Sequence, residues 1–147
     1  MLRVEPEIKT NFVANGLVSL AFVHMLDHGN ASHVAHRAAE CAGVQSPLAF
    51  WQMHNLLFER QSQLWGGNIE LLATWASELG LDAAAMSSCM NDPAMAAKVE
   101  AIDQGRRNQG IRRRPTFDLN GRLIEGALPY DGFVQRFAEN GVTLSEN

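Results

Sequence analysis

The dipeptide Asn120-Gly121 is the feature that most restricts how this chain can fold. It separates residues 115–119 from residues 122–125, two short runs that each mix apolar and polar side chains. Asparagine followed by glycine accepts the positive φ angles of a two-residue type I′ turn. The pattern therefore predicts a β-hairpin of two short antiparallel strands.

A closing helix is predicted directly after the hairpin. Pro129 is typical of a first helical turn, because its fixed φ suits a helix and its missing N–H needs no partner there. Phe133, Val134 and Phe137 share one face, which we expect to turn inward. The C-terminal part of the chain is thus predicted to be a hairpin and a helix over about residues 115–140.

One further strand is predicted near the N-terminus. Leu17 to Val23 form a near-continuous apolar run, which is typical of a strand buried on both faces of a parallel or mixed sheet. Residues 3–14 before it have helical periodicity, and Asn15-Gly16 supplies the stop between the two elements. A helix followed by a buried strand is therefore expected at the start of the chain.

The stretch of about residues 30–109 has helical periodicity throughout. Its predicted helix starts each carry a capping side chain, a proline in the first turn, or both. These starts are Asn30, Ser46-Pro47, Asn68, Asp82 and Asp92-Pro93. The chain is therefore predicted to be an α/β protein, with a helical block between the first strand and the hairpin.

Composition limits the class of protein. A chain of 147 residues, 46% of them hydrophobic, fits a single domain with a buried core. The 16 acidic residues outnumber the 12 basic ones, which argues against a nucleic-acid binder. One local basic run is interpreted as a solvated or salt-bridged surface, and it consists of Arg106, Arg107, Arg112, Arg113 and Arg114. No apolar run reaches the roughly 20 residues that span a bilayer, and no signal peptide is visible.

Three segments carry a resemblance to a known family. They are AAECAGVQSPLAFWQMHNLLFERQ, LLATWASELGLD and RRRPTFDLNGRLIEGALPYDGF. In this order they are similar to the DsbA-like, thioredoxin-fold oxidoreductases, and the resemblance spans Val4 to Phe137. It implies a thioredoxin-like fold with an inserted helical block at about residues 30–109 and with the family's first strand missing. Residues 1–147 would then form one incomplete thioredoxin-like domain.

The resemblance also implies where the family's chemistry lies. Active members carry a Cys-x-x-Cys pair at the start of a long helix, and this chain resembles the family only from a point beyond that pair. Neither catalytic cysteine can be assigned here, so no catalytic residue is named. Pro115 matches the family's cis-proline, which faces the disulfide, and it is flanked by Arg114 and Thr116. Arg114 stands where the family usually has a small or hydroxyl residue, and a long cation there would crowd a peptide-binding groove, which favours a repurposed surface. A protein or peptide ligand near Pro115 is a partner that the resemblance leaves open.

The two cysteines of the chain, Cys41 and Cys89, leave two alternatives open. Many DsbA-like relatives also carry cysteines at these helix positions, and in some of them the two are joined as a structural disulfide. The other alternative is a pair of buried free thiols, which is common for cysteine on apolar helix faces. Because the two cysteines are too few and too far apart in sequence for a structural zinc site, they predict no metal centre.

Histidines are concentrated just after the predicted strand. His24, His28, His33 and His36 lie within thirteen positions, and His33 and His36 share a helical face as metal ligands can. No helical acid fits as a third ligand, so surface and capping histidines are favoured over a metal site. No cofactor is predicted either.

The sequence leaves two main functions open. The first is a redox-inactive binding or structural module that descends from thiol-disulfide oxidoreductases. The alternative is a fragment of an active DsbA-like oxidoreductase whose Cys-x-x-Cys lies upstream, so whether the chain is an enzyme stays open. A missing first strand would leave unpaired sheet edges, which predicts a homodimer or a subunit of a larger assembly. The family implies a bacterial extracytoplasmic location, although no signal peptide is visible.

Overall fold

The computed structural model describes residues 3–144, and these form two compact units. The hairpin unit comprises residues 3–22 and 110–144. The helical unit comprises residues 23–109. Within residues 3–144, no helix is both long and apolar enough to cross a membrane.

The hairpin unit contains two helical segments and one hairpin. Its elements are α1 (Val4–Ile8), which continues as a π-helical turn (Lys9–Val13), β1 (Thr116–Leu119), β2 (Arg122–Glu125) and α7 (Tyr130–Glu139). The buried side chains of Ile8, Phe12, Phe133 and Phe137 form its core. The rings of Phe12 and Phe137 meet edge to face, with their centroids 4.8 Å apart, a favourable arrangement for aromatic quadrupoles. The predicted inward face of the closing helix is therefore confirmed.

The predicted hairpin is confirmed. Strands β1 and β2 pair antiparallel, from Thr116 opposite Glu125 to Leu119 opposite Arg122. Asn120 and Gly121 form the turn with φ angles of 51° and 91°. Both angles lie in the left-handed region, which explains why this dipeptide is suited to the turn.

The predicted buried strand over Leu17 to Val23 is wrong. These residues form no strand in the part of the chain that the structure describes. Exposure alternates along the segment, and Leu17 and Val23 are 39% and 37% exposed. An apolar run becomes a buried strand only when a neighbouring strand supplies hydrogen bonds, and among residues 3–144 the sheet contains β1 and β2 alone.

The helical unit consists of five helices and a short 3₁₀ turn. They are α2 (Gly29–Gln45), α3 (Pro47–Glu59), a 3₁₀ turn (Gln61–Gln63), α4 (Ile69–Glu78), α5 (Ala83–Asn91) and α6 (Pro93–Asn108). The core of this unit is built from small and flexible apolar side chains around Trp75, which is 2% exposed. Helices α2 and α5 both contribute to this core, which brings their inward faces together.

Three of the five predicted helix starts have the expected caps. The side chains of Asn68, Asp82 and Asp92 each accept a hydrogen bond from a backbone N–H of the following turn. The prediction of Asn30 as a cap is wrong, whereas α3 does begin at Pro47 with Ser46 as its N-cap residue, as predicted. Helix α2 begins at Gly29, one residue before Asn30, and neither its N-cap residue nor Ser46 of α3 makes a side-chain cap. Gly29 has a φ of 56°, a conformation that glycine adopts without steric cost.

Candidate functional site

The loop around Pro115 leads into strand β1. The Arg114–Pro115 peptide bond is cis. The carbonyl of Pro115 accepts a hydrogen bond from the Gly126 N–H at 2.8 Å, and the Thr116 hydroxyl donates to the Arg113 carbonyl at 2.7 Å. Two bonds thus hold the loop against the open end of the hairpin.

The surface beside this loop is basic. Arg113 and Arg114 are exposed, whereas Pro115 and Thr116 are half-buried. Arg113 pairs with Glu125 at 3.4 Å, and both side chains are largely solvated, so this ion pair adds little stability. The hairpin unit contains no cysteine, because both cysteines of the sequence lie in residues 23–109. The hairpin unit therefore supplies no thiol nucleophile for exchange.

Cys41 of α2 and Cys89 of α5 form a disulfide in the helical unit. Their Cα atoms lie 5.8 Å apart, within the range that a disulfide spans, and Cys41 is 1% exposed. Of the two alternatives that the sequence left open, the structure has the bridge. Sulfur joined in this way is not a nucleophile, because exchange is initiated by a thiolate.

A chain of hydrogen-bonded side chains lies in the same unit, and we call it the histidine latch (His24, His36, Glu40 and Lys98). The Nδ1 atoms of His24 and His36 are 2.8 Å apart, and the Nε2 atom of His24 lies 2.6 Å from Glu40 Oε1. The Lys98 ammonium donates to Glu40 Oε2 at 2.5 Å. The latch joins the segment before α2 to helices α2 and α6.

Burial decides the charge of the histidine latch. Desolvation, together with the nearby His24, lowers the pKa of His36 to about 4, so His36 is neutral at neutral pH. Burial acts to raise the pKa of Glu40, but hydrogen bonds from Lys98 and His24 outweigh it and lower that pKa. Glu40 is therefore a carboxylate that faces one imidazole and one ammonium group.

The interpretation of these residues as surface and capping histidines is wrong for His24, which is 1% exposed. His33 and His36 do not face a common partner either, because His33 Nδ1 lies 3.6 Å from Glu100 Oε1 on α6. Glu40 was missed, although its position four residues after His36 on one helix face is a readable signal. Among the described residues, no three His, Cys, Asp or Glu side chains gather as a metal site.

The segment that contains the latch is also held through its backbone. The Leu26 N–H donates to Asp103 Oδ1 at 2.7 Å, and the Arg107 guanidinium donates to the Leu26 carbonyl. Arg107 also donates to Asp103 Oδ2 at 2.7 Å, which closes a ring of hydrogen bonds. Arg107 therefore forms a salt bridge, in agreement with the interpretation of the local basic run as a solvated or salt-bridged surface.

Comparison with known proteins decides the family. Residues 2–137 match the family model described as Thioredoxin. The chain belongs to the thioredoxin family. It is 28% identical over 131 residues to disulfide bond formation protein D of Bacillus subtilis (strain 168). It is also 32% identical over 105 residues to a Na(+)/H(+) antiporter NhaA of Herminiimonas arsenicoxydans.

A solved structure extends this likeness to the fold. The crystal structure of oxidised BdbD from Bacillus subtilis superposes with a TM-score of 0.83 at 26% identity, over 93% of this chain and 76% of that one. The expected DsbA-like thioredoxin fold with a helical insert is therefore confirmed. The chain spans 58% of disulfide bond formation protein D and 16% of the antiporter, and it matches 86% and 71% of its own length to them.

Proposed function

We propose that this member of the family of thiol-disulfide oxidoreductases is, as given, a redox-inactive binding module. The observation that carries the proposal is the Cys41–Cys89 disulfide, which occupies both cysteines of the sequence. Exchange needs an accessible thiolate that attacks a partner disulfide. With Cys41 almost fully buried and joined to Cys89, neither sulfur meets that need.

The binding surface of this module would be the loop around Pro115. Half-buried Pro115 directly precedes strand β1, which begins at half-buried Thr116, and the exposed Arg114 precedes Pro115. An extended polypeptide next to such a loop gains main-chain hydrogen bonds, and a guanidinium adds attraction for acidic side chains. The cis geometry before Pro115 supports the match with the family's cis-proline, and its role in binding is part of the proposal.

A second function, an active oxidoreductase whose redox pair lies outside this sequence, is favoured by one specific observation. The B. subtilis protein to which the chain is similar is named for disulfide bond formation, and the chain spans 58% of its length. In that case Pro115 would orient a substrate polypeptide for a Cys-x-x-Cys contributed from elsewhere. A structural disulfide is typical of oxidising compartments, which supports an extracytoplasmic location for either function.

Self-association would complete the module. The segment from Leu17 to Val23 is apolar and half-exposed, and extended segments of this kind pair readily with another strand. A homodimer, or a place in a larger assembly, would cover it. Light scattering at low micromolar concentration should then give the mass of a dimer, and a monomeric mass with cooperative unfolding would contradict association.

The redox proposal is tested by insulin reduction in the presence of dithiothreitol. The purified chain should give the uncatalysed rate, and the double variant Cys41→Ala/Cys89→Ala should give the same rate. Turnover by the wild-type chain that the double variant loses would assign the activity to these two cysteines. That result would contradict the redox-inactive module.

The binding proposal is tested with labelled, carboxymethylated α-lactalbumin, an unfolded acidic polypeptide without free thiols. Arg114→Ser should weaken its binding several-fold, because it removes a cation beside Pro115. The matched control is Arg136→Ser on α7, an exposed arginine of the same unit that pairs only locally with Glu139 among its described contacts. Equal effects of the two substitutions would contradict a binding role for the Pro115 loop.

A further inference from the structure

The segment from His24 to Leu26 is attached to two helices through hydrogen bonds to ionisable groups. The His24 side chain reaches His36 and Glu40 of α2, and the Leu26 backbone reaches Asp103 and Arg107 of α6. Apolar attachments do not change between pH 7 and pH 4, whereas an attachment through histidine can. The attachment of this segment is therefore open to control by protons.

The hydrogen bond between the imidazoles of His24 and His36 holds a single proton between its two nitrogen atoms. A hydrogen bond between the two Nδ1 atoms at 2.8 Å needs one protonated and one bare nitrogen. Whichever ring supplies the proton, the bond is lost once both Nδ1 atoms are protonated, because two N–H groups then point at each other. Two imidazolium rings with centroids 4.8 Å apart also repel each other strongly in a buried site.

We propose that the histidine latch is a pH-sensitive switch, in which a second proton on the His24–His36 pair separates the rings and frees the segment from α2. The ligand of this site is the proton itself.

The charged groups around His36 are compatible with this response. Asp27, before α2, and Asp103, on α6, act to raise the pKa of His36, as does a hydrogen bond to the Met25 backbone. Burial and His24 outweigh them and hold that pKa near 4. The ring of Phe50 from α3 packs 6.3 Å from His24 and adds no charge. An opened segment would return His36 to water, where its pKa is ordinary, and mild acid therefore favours opening.

The second attachment limits how far the segment moves. Asp103 is 9% exposed and pairs with Arg107, so the contacts to Leu26 persist where His36 is already protonated. The expected movement is therefore a local release on the α2 side, with the α6 side held. This distinguishes the switch from general acid unfolding of the helical unit.

Hydrogen exchange on the full chain tests the switch. Protection factors, corrected for the intrinsic rate at each pH, are measured by mass spectrometry from about pH 7 to about pH 4. The Asp27 N–H donates to Ser32 Oγ of α2, and for this amide one-proton linkage predicts a fall of about tenfold per pH unit below about pH 6.5, whereas the Leu26 N–H held by Asp103 should stay protected. Peptides from α4 should keep their protection.

Two variants separate the switch from other acid effects. His36→Gln removes the second protonation and should abolish the pH-dependent fall, whereas His33→Gln, on the same helix with a half-buried side chain that faces Glu100, should retain it. Unchanged wild-type protection over this range, or the same fall in His36→Gln, would overturn the proposal.

A second measurement covers the case in which His36→Gln does not fold. Imidazole proton resonances of the wild-type chain should show one histidine, His36, with a pKa of about 4. Five histidines that all titrate singly near the ordinary value would also overturn the proposal.

Discussion

Opening the Cys41–Cys89 disulfide should lower the free energy of unfolding by about 4 kcal/mol. The two cysteines are 48 positions apart in sequence, so the bridge closes a long loop in the unfolded chain. In the chain-entropy model, such a loop loses on the order of 14 cal/mol/K of conformational entropy, which is about 4 kcal/mol at 25 °C. The reduced chain regains this entropy when it unfolds, whereas the folded state keeps α2 and α5 packed in one core.

Urea unfolding followed by far-ultraviolet circular dichroism measures this effect. With a slope of about 2 kcal/mol per molar urea, the midpoint should fall by about 2 M when the wild-type chain is reduced with a phosphine. Cys41 is 1% exposed and Cys89 is half-buried, so denaturant is used to give the reductant full access to both sulfur atoms. The chain is therefore reduced in urea and refolded before the measurement.

The double variant Cys41→Ala/Cys89→Ala separates the crosslink from packing. It should unfold at the same midpoint with and without the phosphine, and within about 1 kcal/mol of the reduced wild-type chain, since each substitution removes only one sulfur atom. A reduced wild-type chain whose midpoint falls by less than about 0.5 M would refute the loop-entropy reasoning.

Two further predictions concern His36 and the hairpin turn. Because folding lowers the pKa of His36 from 6.5 to about 4, the unfolded chain takes up the proton first. Neutral His36 therefore contributes at most about 3 kcal/mol to the free energy of unfolding. This contribution is complete above about pH 6.5 and is lost as the pH falls through about 4. In His36→Gln, the free energy of unfolding measured with urea should change less between these two pH values than in the wild-type chain. An unchanged pH dependence would contradict its assignment to His36. Gly121→Ala, at a φ of 91°, should lower stability by about 1 kcal/mol in thermal melts, whereas Gly105→Ala, inside α6 with open space around it, should raise it. Loss of stability in both variants would count against the backbone argument.

Local features of this chain were readable from sequence because their causes lie within a few residues. The Asn120-Gly121 turn depends on two φ angles, and the caps at Asn68, Asp82 and Asp92 depend on N–H groups two or three residues later. The resemblance to DsbA-like proteins supplied the overall fold, which the comparison with BdbD confirmed.

Long-range pairings were decided only by the tertiary structure. The run from Leu17 to Val23 has the composition of a buried strand, but a strand needs hydrogen bonds from a neighbour that its own sequence cannot supply. Whether Cys41 met Cys89 depended on how α2 packs against α5.

The histidine latch depends on packing in the same way. The spacing of His36 and Glu40 places both on one face of α2, and that much follows from helix geometry. The arrival of His24 between them, and of Lys98 from α6, follows from the packing of segments that are distant in sequence. Burial then sets the charge of His36, because desolvation is a property of the assembled core and of no single stretch of sequence.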